Sequence, residues 1–146
     1  MIQTLQLLFE RDLVRLKTEI EAYKDEENIW RVERNISNSA GNLCLHLIGN
    51  LNTYIGNVIG ENKYVRNREQ EFSLKEVPKS ELLQKIEETA AIVRNSLNKL
   101  TEEGLQDEYP ILVFESKTTI EYLLVHLSTH LAYHLGQINY HRRLLS

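Results

Sequence analysis

The chain is rarely interrupted, and that limits its folds more than any other feature. Six glycines and two prolines are spread over 146 residues. An all-β fold needs frequent turns and would draw on many more of both. Between the breakers the pattern is periodic. Ile2, Leu5, Phe9, Leu13, Leu16, Ile20 and Tyr23 step by three or four, while Arg11, Asp12, Lys17, Glu19 and Glu21 fall elsewhere on the wheel. This is one apolar face of a long helix.

Three further segments read the same way. After a polar stretch, Lys24 to Asn38, whose one large apolar residue is Trp30, the short side chains of Ser37, Asn38 and Ser39 offer N-caps. A helix then runs from about Ser39 to Ile59 with Leu43, Leu47, Leu51, Tyr54 and Val58 as its stripe. The charged connection 60–77 holds a capping-box spacing at Ser73 and Glu76, which predicts a short helical turn beginning there. Pro78 suits the first turn of a third helix, with Leu83, Ile86, Ala90, Val93, Leu97 and Leu100 on one face. Gly104 marks a break, and Tyr109 to Phe114 is a short apolar run, either strand-like or a loop packed on the helices. A second capping box at Thr118 and Glu121 opens the last helix, whose core face is Ile120, Leu124, Leu127, Leu131, Leu135, Ile138 and Leu145. Four amphipathic helices predict an all-α fold, a four-helix bundle. The long link between helices two and three permits a crossover, leaving those two parallel.

Composition bounds the function. The length suits one domain over residues 1–146. Hydrophobic residues at 42% against 26% charged argue for a folded core over disorder. Net charge is −4, and the basic residues scatter, pairing locally only at Arg66/Arg68 and Arg142/Arg143. Nucleic-acid binding, which depends on a basic stripe, is disfavoured. The N-terminal segment lacks the basic start and continuous apolar core of a signal peptide. No stretch approaches the roughly 20 apolar residues of a membrane span. The lone cysteine, Cys44, cannot form an intrachain disulfide and reads as a buried core thiol. The expected location is the cytoplasm, with no membrane partner.

The histidines carry the chemistry. Four of the five, His126, His130, His134 and His141, lie on the last helix, the first three spaced by four. His130 and His134 form an H-x-x-x-H pair able to point two imidazoles at one divalent metal. Leu131 follows His130, so the H-E-x-x-H pattern and its built-in base are absent. A third ligand has to come from another helix, and His46 is the one remaining histidine. It heads a polar row, His46, Asn50, Thr53 and Asn57, flanked by leucines. Burying such a row is costly unless a metal, a polar ligand or water satisfies it. His126 and His141 read as outer partners or rim residues, and Asn50, Tyr133 and Gln137 are candidates to orient ligands. The run Arg66 to Phe72 reads as a solvated loop or as a rim near the mouth of the bundle.

The segment Ile36 to Leu51, with Trp30 ahead of it, resembles the second helix of the DinB/YfiT-like superfamily. His130-Leu-Ala-Tyr-His134-Leu-Gly-Gln-Ile138 resembles the H-x-x-x-H-x-G-Q-I signature of its fourth helix. Arg66-Asn-Arg-Glu-Gln-Glu-Phe72 is similar to the R-x-R-x-x-E-F connection of one uncharacterised branch. The resemblance implies an up-down-down-up bundle, often a homodimer, with a divalent metal, nickel or zinc, on three histidines. At the matching positions these are His46, His130 and His134. Better-known relatives are S-transferases using bacillithiol, mycothiol or glutathione, and maleylpyruvate isomerases. The expected function is therefore a metal-dependent enzyme acting on a small molecule. It would be a low-molecular-weight-thiol S-transferase or, with the metal lowering the pKa of water, a hydrolase. The alternative is a non-catalytic metal- or small-ligand-binding bundle. Neither the catalytic residues, the substrate nor the roles of Arg66, Arg68 and Glu71 can be read from spacing.

Overall fold

The computed structural model describes residues 1–145. Their regular structure is helical: α1 (Ile2–Glu21), α2 (Ala40–Leu51), α3 (Arg68–Ser73), α4 (Lys79–Leu97) and α5 (Ile120–Leu145), with short 3-10 turns at Glu26–Trp30 and Glu103–Gln106. The Tyr109–Phe114 run is a loop, not a strand. An isolated bridge between Glu108 and Thr119 pins its flanks, and the buried Tyr109 donates its hydroxyl to the Tyr54 carbonyl at 2.6 Å.

Helix α1 follows its stripe. Leu5, Phe9, Leu13, Leu16 and Ile20 are buried, as is Tyr23 just beyond its end. Ser39 caps α2, its hydroxyl accepting from the Asn42 N–H at 3.1 Å. All twelve residues of α2 are buried, so it is the central element. At Gly41 the ring of Trp30 lies where a β-carbon would sit, 2.5 Å from its position, so only glycine admits the indole there.

Three expectations need correction. The second helix does not continue regularly to Ile59. At Asn52 it passes into a π-helical turn, Asn52–Asn57, with Val58 N–H bonded to Thr53 O and Gly60 N–H to Ile55 O. This looser winding breaks the four-residue spacing. Asn50 stays buried, Thr53 is half-buried, and Asn57 turns out to solvent, bonded to Asn62 O. The turn predicted to begin at Ser73 lies before it instead. Asn67 caps α3, accepting from Gln70 N–H at 3.1 Å, and Ser73 ends that helix. Helix α4 starts after Pro78, its N-cap, and buries Ile86, Val93 and Leu97 as expected, while Leu83, Ala90 and Leu100 are only partly buried against the core. Leu82 and Thr89 are buried where Leu83 and Ala90 were expected. Thr89 has a polar partner there: Asn52 Nδ2 donates to Thr89 Oγ1 at 2.9 Å, a pairing that apolar spacing cannot register.

Helix α1 packs on α4 and α5, α2 packs on the same two, and α3 covers α2. Hydrogen bonds give the registers. Along α1, Met1, Gln6, Lys17 and Tyr23 meet Glu102, Asn98, Glu87 and Lys79 respectively. Along the second segment, Asn52 and Gly60 meet Thr89 and Lys99. Glu19 meets Asn139 and Arg142 of α5. No helix among the described residues is long and apolar enough to cross a membrane.

His141 is not a rim residue. It is buried and ties three segments together, with Nε2 bonded to the Arg31 carbonyl at 2.8 Å and Nδ1 to the Tyr23 hydroxyl at 2.6 Å. The carbonyl requires an N–H at Nε2, so Nδ1 accepts from tyrosine. Burial lowers the His141 pKa, against the raising effect of the Arg31 carbonyl. A depressed folded pKa means the unfolded chain binds more protons below about pH 6.5, so this contribution is complete above that pH and declines as pH falls. Thermal melts at pH 7.5 and 5.5 should show a larger acid loss in the wild type than in His141→Gln; equal losses would contradict the assignment.

Gly136 faces open space, with nothing within 4 Å of its notional β-carbon. Inside a helix this glycine carries only a conformational cost, so Gly136→Ala should stabilise the chain by about 0.5–1 kcal/mol in urea unfolding. A destabilised variant would show that something covers this face.

Candidate metal centre

Helix α5 presents His130 and His134 one turn apart, and α2 brings His46 across from them. His130 Nε2 lies 3.3 Å from His46 Nε2 and 3.2 Å from His134 Nε2. The ligand atoms of all three lie within 4.8 Å of one another. The three sequence-predicted residues therefore do come together, although His46 and His130 are 84 residues apart.

The outer contacts decide which nitrogens face inward. His46 Nδ1 sits 3.0 Å from Glu71 Oε1, and a carboxylate oxygen accepts only, so in the neutral, metal-binding form of the ring the proton is on Nδ1 and Nε2 carries the lone pair. His134 Nδ1 lies 2.7 Å from Gln137 Oε1, an amide carbonyl, with the same consequence. His130 Nε2 faces both lone pairs and can donate to only one of them. Its own Nδ1 is buried without a partner. Such an arrangement leaves lone pairs opposed at close range unless a cation lies between them. Tetrahedral bonds of about 2.0–2.1 Å would separate imidazole nitrogens by about 3.3–3.4 Å. The donor set thus fits a divalent cation in chemistry, and the two distances from His130 match that spacing.

Burial keeps the rings of His130 and His134 neutral. Burial pushes the His130 pKa down to about 4, helped by the charges of His134, His46, His126 and Arg66. Burial also lowers His134, against the raising effect of Gln137. Neutral imidazoles are the form that binds metal.

Glu71 and Arg66 were left without roles by spacing alone, and the structure supplies them. Arg66 Nε and Nη2 donate to the two oxygens of Glu71 at 2.8 and 3.0 Å. Burial raises the Glu71 carboxyl, but hydrogen bonds from His46 and Arg66 outweigh it and leave the pKa below the ordinary value. Asn42 Nδ2 holds α3 in place by donating to Glu71 O and Leu74 O at 2.9 and 2.8 Å. The run is therefore a short helix with a solvated outer face and not a loop. It places one buried carboxylate behind a candidate ligand, with the Phe72 ring 5.1 Å from that of His46. Arg68 stays exposed. The available signal was an aromatic residue next to a glutamate inside an otherwise charged run.

The remaining candidates separate. Gln137 touches His134 directly. Tyr133 is 65% exposed, its ring 5.2 Å from that of His134. His126 stacks on His130 at 6.2 Å and packs against Phe114, and it is not part of the converging donor set. Asn50 is buried with its Oδ1 unpartnered, as is Thr53 Oγ1. Cys44 is buried, and burial raises its thiol to about 12, so it stays an inert core thiol.

Over residues 4–146 the chain matches the family described as "Protein of unknown function (DUF1572)". No curated protein matches it.

Proposed function

The chain belongs to the DUF1572 family of proteins of unknown function, so its activity has to be read from the site, and we propose that it is a metal-dependent enzyme transferring a low-molecular-weight thiol. The observation that carries this is the convergence of His46, His130 and His134, with the outward nitrogens of two of them already engaged. In this proposal the three rings hold one divalent cation, nickel or zinc, and the helices form a DinB/YfiT-like four-helix bundle in up-down-down-up order. The interhelical registers support that order.

A bound cation with an open position supplies Lewis acidity, which favours the thiolate of a sulfur ligand. The protein's own part is positional. Glu71 holds the His46 ring and keeps its proton on Nδ1, while Gln137 does the same for His134. Arg66 neutralises Glu71. Thiol transfer is favoured over hydrolysis because Glu71, the carboxylate touching this cluster, is tied by three hydrogen bonds and is not free to take a proton from water.

The test is turnover of monochlorobimane by nickel- or zinc-loaded protein against a panel of small thiols. Fluorescent conjugate should form above the uncatalysed rate with at least one thiol and fall to that rate in His130→Ala. Silence across the panel with metal loaded would move the function to non-catalytic binding.

A further inference from the structure

A groove of about 500 Å³ opens beside the histidine cluster, between the polar segment preceding α2 and the C-terminal half of α5. Its volume falls in the range that holds a small organic ligand, roughly 300–1,000 Å³. The His134 ring and the side chain of its partner Gln137 form part of the wall, so the groove reaches the candidate centre. Ile36, Leu43 and Leu144 supply apolar surface. Tyr133 and Tyr140, two turns apart on α5, are each 65% exposed and hold two aromatic faces along the same opening.

The polar part of the wall is neutral. It is made of amides and a hydroxyl, such as Asn38, Gln137 and Ser37, with the imidazoles of His134 and His141, whose pKa values burial lowers, and no Lys, Arg, Asp or Glu lines it among the described residues. This is unusual beside the rest of the surface, since a quarter of the chain is charged. A carboxylate or ammonium entering such a groove gives up part of its water and meets no opposite charge on the wall, which is unfavourable. An uncharged ligand gives up little and gains aromatic contact and amide hydrogen bonds.

We propose that this groove binds an uncharged, aromatic-bearing substrate and selects against anionic ones at the positions away from the histidines. The proposal rests on the metal-site function above for the reaction, but not for the binding preference. Arg143 lies against the Tyr140 ring but does not line the groove, so glutathione-type carboxylates find no cation on its wall and the groove takes the uncharged electrophile.

The test uses two fluorescent probes of nearly one shape, naphthalene-2-carboxamide and naphthalene-2-carboxylate, followed by anisotropy. Both are titrated into chelator-treated protein, because a carboxylate could otherwise bind a cation directly. The carboxamide should bind at least about ten-fold more tightly, and Tyr133→Ala, at an exposed position, should weaken it several-fold. Ile36→Lys, which adds one cation to the wall, should shift the preference toward the carboxylate. Equal or tighter binding of the carboxylate by the wild type, or no response to either substitution, would overturn the proposal. Metal content is measured separately on untreated protein. A neutral preference without metal binding would remove the proposed function and leave the groove, and the reverse would remove the groove alone.

Discussion

Protein carrying His46→Ala should purify without a stoichiometric divalent cation, whereas the wild type retains one through a tag-free purification. His130 and His134 alone offer two nitrogens from one helix turn, and the third donor comes only from α2. His126 cannot replace it, because its ring stacks on His130 rather than joining the converging set. Loss of an outer-shell partner commonly lowers metal affinity 10–100-fold, so loss of a ligand should cost at least about 100-fold. The fold should survive, since Arg66 and Glu71 still pair with each other. Elemental analysis and zinc competition against a chelating dye measure the effect, with a thermal melt confirming folding. A folded variant with unchanged metal content would show that residue 46 is not a ligand.

Gly49→Ala should destabilise the chain by about 3 kcal/mol, although alanine normally favours a helix interior. A β-carbon at residue 49 would fall 2.6 Å from Glu71 Cδ and closer still to Oε2. A glutamate tip usually swings away at little cost. This one is buried and held by Arg66 twice and His46 once, so moving it breaks charge-assisted bonds and leaves a half-buried guanidinium unpaired. At about 2–4 °C per kcal/mol for a chain of this size, the melting temperature should fall by about 10 °C. Metal affinity should drop too, because His46 loses the partner that fixes its tautomer. A double-mutant cycle identifies the cause: in a Glu71→Ala background, Gly49→Ala should cost almost nothing. An equal cost in both backgrounds would place the strain elsewhere.

Much of the helical layout is legible because helical periodicity is local. The stripes of α1 and α5 and the Ser39 cap correspond closely to the structure. The errors fall where polar groups pair across elements. Thr89, a polar residue that the apolar stripe of α4 omits, is buried because Asn52 bonds it from the second segment. The π turn after Leu51 cuts the polar row on α2. His141 resembles its neighbours on α5 in sequence, yet serves to tie Tyr23 and Arg31. In each case a compensating partner lies far along the chain, and hydrophobic spacing carries no information about it.

From sequence alone came the helical class, the shared face of His130 and His134, and the need for a third nitrogen from elsewhere, because each depends on chemistry within a few residues or on residue type. Tertiary packing decided that His46 meets that face, that Glu71 stands behind it, and that a neutral groove opens at its side. Those outcomes depend on how α2 seats between α3 and α5, and burial and distance between remote segments exist only once the helices have packed.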